Sequence, residues 1–312
     1  MIHRVFISLA IDSIDKREEA PFVDVEGCFN KKQKRHECKI CRSICPKGAI
    51  AYEKRIKIDS SLCNGCHLCY GSCPARCIWP GHSFIKKNGR IEDGILMIGC
   101  RRQAKSSAGI NVPCVASLPW EFYALLSYLT PISIMKQNCS QCDFKAENVV
   151  GEIIERLRLF WGDDYSWRIL SHTEVAPAIY SRREVFELFI KKEKRPEEWL
   201  ALKGNDQDSE KHPSSYRNLL LMELDRSRVH GWLTWRINGA CRGCKVCQKL
   251  CPCGALQMIT DGEEYTLTHD VLKCINCQIC KLICPEKCIE QQIEVYTTKD
   301  DPVVSINSLK IQ

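Results

Sequence analysis

Cysteine spacing is the feature of this sequence that most directly predicts chemistry. Of the 312 residues, 23 are cysteines, and three runs follow the pattern C-x2-C-x2-C-x3-C-P. These runs are Cys63, Cys66, Cys69 and Cys73, then Cys241, Cys244, Cys247 and Cys251, and then Cys274, Cys277, Cys280 and Cys284. Three cysteines at such intervals wrap a loop around one face of an iron–sulfur cube, and the fourth ligates the other cube of a pair. A fourth run has Cys38, Cys41 and Cys45, with Arg35 in place of its first cysteine. The two pairs of runs therefore predict four [4Fe–4S] clusters.

In these motifs, residues 28–80 and 232–296 resemble the bacterial dicluster ferredoxin family. The resemblance implies a crossed ligation, in which each cluster takes three cysteines from one run and a fourth from the paired run. For the C-terminal segment it implies the sets Cys241, Cys244, Cys247 and Cys284, and Cys274, Cys277, Cys280 and Cys251. For the N-terminal segment it implies a complete set of Cys63, Cys66, Cys69 and Cys45, and an incomplete set of Cys38, Cys41 and Cys73.

The incomplete set leaves three interpretations open. Cys28 could return as the fourth ligand across the basic loop 31–35, or His36 could bind the iron. Otherwise the site could hold a three-iron cluster or an open iron.

Three further cysteines, Cys77, Cys253 and Cys288, lie in the tight turns after Cys-Pro. Cys77 and Cys288 stand where the other two copies of the motif have Ala49 and Ala255. A small apolar residue packs against the cube at that point, so we predict that all three are structural and not ligands.

The elements of the middle region follow a different hydrophobic pattern. Three short apolar runs predict buried parallel strands, and two longer segments predict helices. The predicted strands are 94–99, 131–135 and 167–170, and the predicted helices are 118–129 and 146–161. This β-α-β-α-β order predicts a small parallel α/β domain.

Four cysteines, Cys100, Cys114, Cys139 and Cys142, lie beside these predicted elements. Sites in open parallel sheets form beyond the carboxyl ends of the strands, where distant cysteines would converge. Over residues 94–170 the arrangement resembles the small iron–sulfur (delta) subunit of methyl-viologen-reducing hydrogenases, which implies a [2Fe–2S] cluster. Those proteins have a longer spacing in the last cysteine pair, so zinc and a pair of unligated redox thiols stay open as alternatives.

The predicted fold class is α+β, with two ferredoxin-like dicluster modules flanking the small parallel α/β domain. The predicted divisions are an N-terminal module over 1–90, the α/β domain over 91–175, a helical connector over 176–230, and a C-terminal module over 231–312.

Composition and motifs exclude several other classes of protein. The formal charge of +7 balances anionic clusters, and no basic run is interleaved with aromatic residues, so no nucleic-acid partner is predicted. The most apolar stretch, 112–135, contains three prolines and Glu121, which a membrane-spanning helix would resist. The sequence contains no Walker A motif and no G-x-G-x-x-G motif.

These observations predict an electron-transfer subunit of a larger oxidoreductase complex in an anaerobic cytoplasm. Its expected partners are a low-potential electron donor and a catalytic subunit that could contain flavin. One alternative is a reductase whose active site is the middle cysteine cluster or the incomplete N-terminal set. A second alternative is a structural zinc protein or thiol redox switch.

Overall fold

The computed structural model describes residues 20–32, 38–80, 86–87, 91–92, 95–101, 110–135, 139–170, 216–224, 229–261, 264–297 and 303–310. Helices and strands are mixed along the chain, and the sheets are small. The fold is therefore of the α+β class. His36, most of the predicted connector and the loop 33–37 lie outside the described residues.

The N-terminal part contains short elements around the first two cysteine runs. They are β1 (Phe22–Val23), α1 (Phe29–Lys32), α2 (Ile40–Ile44), β2 (Ile50–Tyr52), β3 (Ile56–Ile58), α3 (Leu68–Ser72) and β4 (Ile78–Trp79). Strands β2 and β3 form a hairpin, and β1 pairs antiparallel with β4. Helices α2 and α3 end at Cys45 and Cys73, which have extended backbone because a residue before proline is forced out of the helical region.

The middle part is a sheet flanked by helices. Its elements are β5 (Lys86–Lys87), β6 (Ile91–Glu92), β7 (Ile95–Cys100), β8 (Ile110–Val112), α4 (Trp120–Leu129), β9 (Ile132–Met135), α5 (Glu147–Trp161), α6 (Tyr165–Arg168) and β10 (Ile169–Leu170). The strand order is β10-β9-β7-β8-β5, with β6 pairing on β7. The central pairs β10–β9, β9–β7 and β7–β8 are parallel, whereas β5 and β6 pair antiparallel.

The C-terminal part repeats the arrangement of the N-terminal part with longer strands. Its elements are α7 (Tyr216–Glu223), β11 (Val229–Ile237), α8 (Val246–Lys249), β12 (Leu256–Asp261), β13 (Glu264–Asp270), α9 (Ile279–Ile283), β14 (Ile289–Thr297) and β15 (Val303–Lys310). Strand β11 pairs antiparallel with β14, as β1 does with β4, and the hairpin β12–β13 corresponds to β2–β3. Strand β15 adds to the edge of this hairpin.

Two features of the middle sheet differ from the sequence-based expectation. The predicted strand 167–170 is half helical, because Trp167 and Arg168 belong to α6 and only Ile169 and Leu170 pair in the sheet. In addition, the hydrophobic pattern does not predict β8, since three residues are too few to show a periodicity.

One continuous core joins the middle sheet to both cysteine-rich parts. It extends from Cys28 through Leu118, Phe160 and Leu220 to Val271. A second core lies inside the C-terminal part, around Trp235, Leu256 and Ile289. The division of the chain at residues 90, 175 and 230 stays a prediction.

Candidate metal centres

Every Cys-Pro dipeptide begins a turn of the same backbone shape. The second residue after the proline has a positive φ in all four copies: 62° at Gly48, 51° at Arg76, 62° at Gly254 and 49° at Lys287. In each turn the N–H of this residue donates to the carbonyl of the cysteine before the proline, at 3.2–3.3 Å. After two of the turns, the N–H groups of Ala49 and Ala255 donate to the sulfurs of Cys45 and Cys251 at 3.3 Å. The turn thus aims backbone donors at a ligand sulfur.

The three complete C-x2-C-x2-C loops also share a backbone shape. Residues on both sides of the middle cysteine have positive φ, from 53° to 66°. These residues are Gly65 and His67, Gly243 and Lys245, and Asn276 and Gln278. Alternating left- and right-handed backbone turns successive N–H groups toward one concavity, which suits an anion. A thiolate-bound iron–sulfur cluster is such an anion, so these loops fit the cluster that the cysteine spacing predicts.

Site 1 consists of Cys45, Cys63, Cys66 and Cys69, which the fold brings together. Burial raises the pKa of Cys66, and the charges of Cys45 and Cys63 add to the rise. Burial raises the pKa of Cys69 as well, with contributions from the other three cysteines. As thiolates these four sulfurs would repel one another, so a bound cation such as iron would stabilise their deprotonated form.

Site 2 consists of Cys28, Cys38, Cys41 and Cys73. Burial raises the pKa of Cys41 to about 12, and the charges of Cys73, Cys38 and Cys28 contribute to the rise. The side chain of Asn30, two residues after Cys28, is hydrogen-bonded to the backbone of Cys38. The Asn30 side chain donates to the Cys38 carbonyl at 2.9 Å and accepts the Cys38 N–H at 2.5 Å. Cys28 is 6% exposed and is close enough for its charge to contribute to the raised pKa of Cys41.

Sites 3 and 4 lie in the C-terminal part. Site 3 is Cys251, Cys274, Cys277 and Cys280, and site 4 is Cys241, Cys244, Cys247 and Cys284. Burial raises the pKa of Cys277 to about 12, with contributions from Cys274 and Cys251. Burial likewise raises the pKa of Cys247 to about 11, with contributions from the other three cysteines of site 4. A small cavity lies among the site 4 cysteines and is otherwise lined mainly by apolar side chains.

The three cysteines predicted to be structural each touch a sulfur of one of these sites. The sulfur–sulfur distances are 3.6 Å from Cys77 to Cys73, 3.7 Å from Cys253 to Cys251, and 3.4 Å from Cys288 to Cys284. Hydrogen bonds with Cys28 and Cys73 raise the pKa of Cys77. Sequence reasoning missed this contact. Cys77 and Cys288 stand four residues after Cys73 and Cys284, where Ala49 and Ala255 stand after Cys45 and Cys251, whereas Cys253 follows Cys251 by two residues.

The four sites are neighbours in the order 1, 2, 3 and 4, and this series is called the row of sites. Cys41 of site 2 is close enough for its charge to raise the pKa of Cys69 in site 1, and Cys247 of site 4 does the same to Cys280 in site 3. Sites 2 and 3 meet at an apolar seam, defined as Phe29, Cys277, Ile279 and Ile283 with Cys38 and Ala75 packed against them. One end of the row, at site 4, reaches solvent because Cys244 is exposed.

The middle site is the group Cys100, Cys114, Cys139 and Cys142. Cys100 ends β7, Cys114 follows β8, and Cys139 follows β9. These strands are parallel neighbours, so their carboxyl ends share one edge. A hydrogen bond between the first two thiols lowers the pKa of Cys100 to about 7. Cys139 lies near Cys114, and Cys142 is in the same turn as Cys139, with its N–H 3.3 Å from that carbonyl.

Two kinds of feature are absent from the described residues. In that part of the chain, no group of three or more His, Cys, Asp or Glu side chains is arranged to hold a single metal ion. That arrangement is tighter than a [4Fe–4S] cluster needs, because each of its four ligand sulfurs binds a different iron. None of the described helices is long and apolar enough to span a membrane.

Comparison with known proteins finds a family match for one cysteine-rich segment. Residues 56–79 match the family model of the 4Fe-4S binding domain. This range contains Cys63, Cys66, Cys69 and Cys73. The match confirms the coarser prediction that the chain contains a 4Fe-4S binding domain. No solved structure matches the chain.

Curated relatives match short parts of the chain. A subunit of the ion-translocating oxidoreductase complex of Methanosarcina acetivorans is 44% identical over 50 residues, which cover 16% of this chain and 17% of the relative. The PorD subunit of pyruvate synthase from Methanocaldococcus jannaschii is 35% identical over 60 residues, 19% of this chain and 62% of the relative. PorD of Methanothermobacter marburgensis is 34% identical over 58 residues, 19% and 60% respectively. The chain thus spans less than two thirds of the length of each.

Proposed function

We propose that the chain is an electron-transfer subunit of a larger oxidoreductase, with a [4Fe–4S] cluster at each of sites 1 to 4. The observation that carries this proposal is the apolar seam, because it places Cys38 of site 2 and Cys277 of site 3 in the same apolar cluster. Two ferredoxin-like modules joined only by a linker would have no reason to meet at their cysteines. A cluster bound at these sites would supply one-electron oxidation and reduction.

The residues of the chain bind, shield and tune such clusters. Thiolates provide the ligands, and the left-handed turns direct backbone N–H groups at sulfur. Buried apolar side chains such as Leu68 and Ile283 exclude water around the sites. Hydrogen bonds to the sulfurs, burial and local charge are the factors by which a protein sets cluster potentials.

We further propose that the middle site holds a [2Fe–2S] cluster, with zinc as the alternative. Cysteines from the ends of three parallel strands converge there, and backbone N–H groups of Val115 and Ala116 point at the sulfurs of Cys100 and Cys114 at 3.3 and 3.4 Å. Donation to sulfur suits a cluster, whose sulfurs carry much of the negative charge.

The relatives support the choice of a subunit over a free-standing enzyme. They are named as subunits of an ion-translocating oxidoreductase complex and of pyruvate synthase. We infer that this chain also works with a low-potential donor and a catalytic subunit, which could contain flavin. All 23 cysteines are free of disulfides, which fits the proposed anaerobic, reducing cytoplasm.

The experiment is metal and sulfide analysis of the anaerobically purified full chain, with EPR during reductive titration. Four [4Fe–4S] clusters and one [2Fe–2S] cluster amount to about 18 irons per chain, whereas zinc at the middle site would give about 16 irons and one zinc. A chain with about eight irons or fewer would refute the four-cluster proposal.

A pair of variants tests the fourth ligand of site 2. Cys28→Ala should lose iron and give a three-iron EPR signal, because only Cys38, Cys41 and Cys73 would remain. Cys253→Ala is the matched control, since it removes a thiol that touches a ligand sulfur without being a predicted ligand. Unchanged iron content and spectra in Cys28→Ala would rule out Cys28 as a ligand.

A further inference from the structure

A buried carboxylate lies between two arginines in the continuous core. Glu121 of α4 is 2% exposed. Its Oε2 is 3.0 Å from Nη2 of Arg76, and its Oε1 is 3.7 Å from Nη1 of Arg217. Burial opposes ionisation of Glu121, but the two guanidiniums hold the pKa of its carboxyl below the usual value. An apolar replacement for such a buried group is often at least as stable, so stability does not by itself account for these charges.

Arg76 belongs to the turn that follows a ligand of site 2. It is the left-handed residue after Cys73-Pro74, and its N–H donates to the Cys73 carbonyl at 3.2 Å. Its side chain is 26% exposed. Arg76 is therefore tied to site 2 through its backbone and to Glu121 through its guanidinium.

Arg217 is attached in a similar way to site 3. It donates from Nη2 to the carbonyls of Val271 and Leu272, both at 3.0 Å, just before Cys274 in the chain. Its guanidinium lies 5.0 Å from the ring centroid of Trp232, and both side chains line a small cavity with Cys274. Burial raises the pKa of Cys274, and the charge of Arg217 opposes that rise.

We propose that Glu121, shared between Arg76 and Arg217, sets the reduction potentials of the clusters at sites 2 and 3 together, relative to sites 1 and 4. This inference rests on the proposed function. A reduced cluster is one unit more negative than an oxidised one, so nearby positive charge raises the potential and nearby negative charge lowers it. The three side chains carry one excess positive charge at the two sites that meet at the apolar seam. Arg156, whose charge also lowers the pKa of Glu121 and which interacts with Cys274, adds a further positive charge on the side of site 3. Glu121, Arg76 and Arg217 act as positioning residues, since the sulfur ligands hold the iron.

The signs of the expected shifts differ between variants. Glu121→Gln removes the negative charge and should raise the potentials of sites 2 and 3 together. Arg76→Gln should lower the potential of site 2 much more than that of site 3, and Arg217→Gln should do the reverse. Arg76→Lys keeps the charge and should restore most of the wild-type potential of site 2. A role in packing alone would not produce shifts of opposite sign, nor rescue by charge.

The test is an EPR-monitored reductive titration of the full holoprotein, with iron content measured on each sample. In Glu121→Gln we expect the ratio of reduced to oxidised cluster at sites 2 and 3 to rise about tenfold at a fixed potential, ~59 mV for one electron. Sites 1 and 4 serve as internal references and should not move. Glu155→Gln removes the same charge from an exposed ion pair with Arg158 on α5 and should move no cluster.

Two outcomes would overturn the inference. One is an unchanged titration in Glu121→Gln with the wild-type iron content, and the other is an equal shift of all four clusters. If Glu121→Gln fails to bind iron, the variants of the more exposed Arg76 test the inference instead. Equal cluster potentials in Arg76→Gln and the wild type would then refute it. Failure of the proposed function is distinguishable, because the wild type would then lack four clusters at the outset.

Discussion

Replacing Gly231 by alanine should loosen the contact between the C-terminal part and the middle part of the molecule. Gly231 lies in β11 where that strand crosses the end of α5. A Cβ at this position would overlap the carbonyl oxygen of Leu159 and lie 2.8 Å from its carbonyl carbon. Neither atom belongs to a flexible side chain, so the strand and the helix would have to separate.

The loss of unfolding free energy can be estimated from the aromatic side chains beside Gly231. The ring of His230 stacks on Phe160, with centroids 4.4 Å apart and an interplanar angle of 13°. Trp232 contacts Phe160 edge-on at 5.4 Å. Forcing extra atoms into a packed core costs about 1–3 kcal/mol, and a disturbed aromatic pair costs about 0.5–1.5 kcal/mol more. We therefore expect a loss of about 3 kcal/mol of unfolding free energy.

The assay is thermal unfolding of the anaerobic holoprotein, followed by circular dichroism and cluster absorbance. In a chain of this size, about 3 kcal/mol corresponds to a fall in Tm of roughly 6 °C. The control is Gly151→Ala on α5, where an added Cβ meets no heavy atom within 4 Å. That variant should be as stable as the wild type or more stable by up to ~1 kcal/mol, because alanine is the better helix former. A Gly231→Ala protein with the wild-type Tm would refute the reasoning.

Two other perturbations test different contacts. Gly71→Ala would place a Cβ 2.8 Å from the Ser117 carbonyl oxygen, so it should lower Tm by several degrees through the contact between α3 and the middle part; an unchanged Tm would contradict this close approach. Burial lowers the pKa of His269 to about 4 from an ordinary 6.5. The unfolded chain therefore takes up this proton first, and stability present above pH 6.5 is lost as pH falls toward 4, by about 1.4 kcal/mol per unit. When the pH is lowered from about 7.5 to 5.5, the unfolding free energy of His269→Gln should therefore fall by about 1 kcal/mol less than that of the wild type. Parallel profiles of unfolding free energy against pH would argue against the burial of a neutral imidazole.

Local patterns in the sequence predicted the parts of the structure that depend on local chemistry. The spacing of cysteine and proline predicted where the cluster loops turn, because proline forces Cys45 and Cys73 out of the helix. The amphipathic period predicted the helix observed at Glu147–Trp161. From the sequence, Cys28 was one of three alternatives for completing the set of Cys38, Cys41 and Cys73. The loop between Cys28 and Cys38 is long enough to let Cys28 approach the set, but its length does not require it to.

Long-range contacts were beyond the reach of such patterns. Nothing local marks Arg76 as left-handed, and its place becomes visible only by comparison with Gly48 in the corresponding turn. The sequence analysis used Glu121 only as evidence against a membrane-spanning helix. Its two arginine partners could not be predicted, because they come from distant parts of the chain. Trp167 and Arg168 were expected in a strand, but the turn at Gly162–Asp164 continues directly into α6.

The middle part of the molecule helps to fix the separation of sites 2 and 3. This role does not depend on what Cys100, Cys114, Cys139 and Cys142 bind. Gly71 and Gly231 allow backbone from the two flanking parts to approach it more closely than any side chain would permit. Glu121 adds ionic contacts to both of those parts, and the core is continuous through all three. Since sites 2 and 3 face each other from different flanking parts, their separation is held by these contacts as well as by the apolar seam. The spacing at the centre of the row is therefore a property of the whole fold, and changes at either glycine should alter it without touching a cysteine.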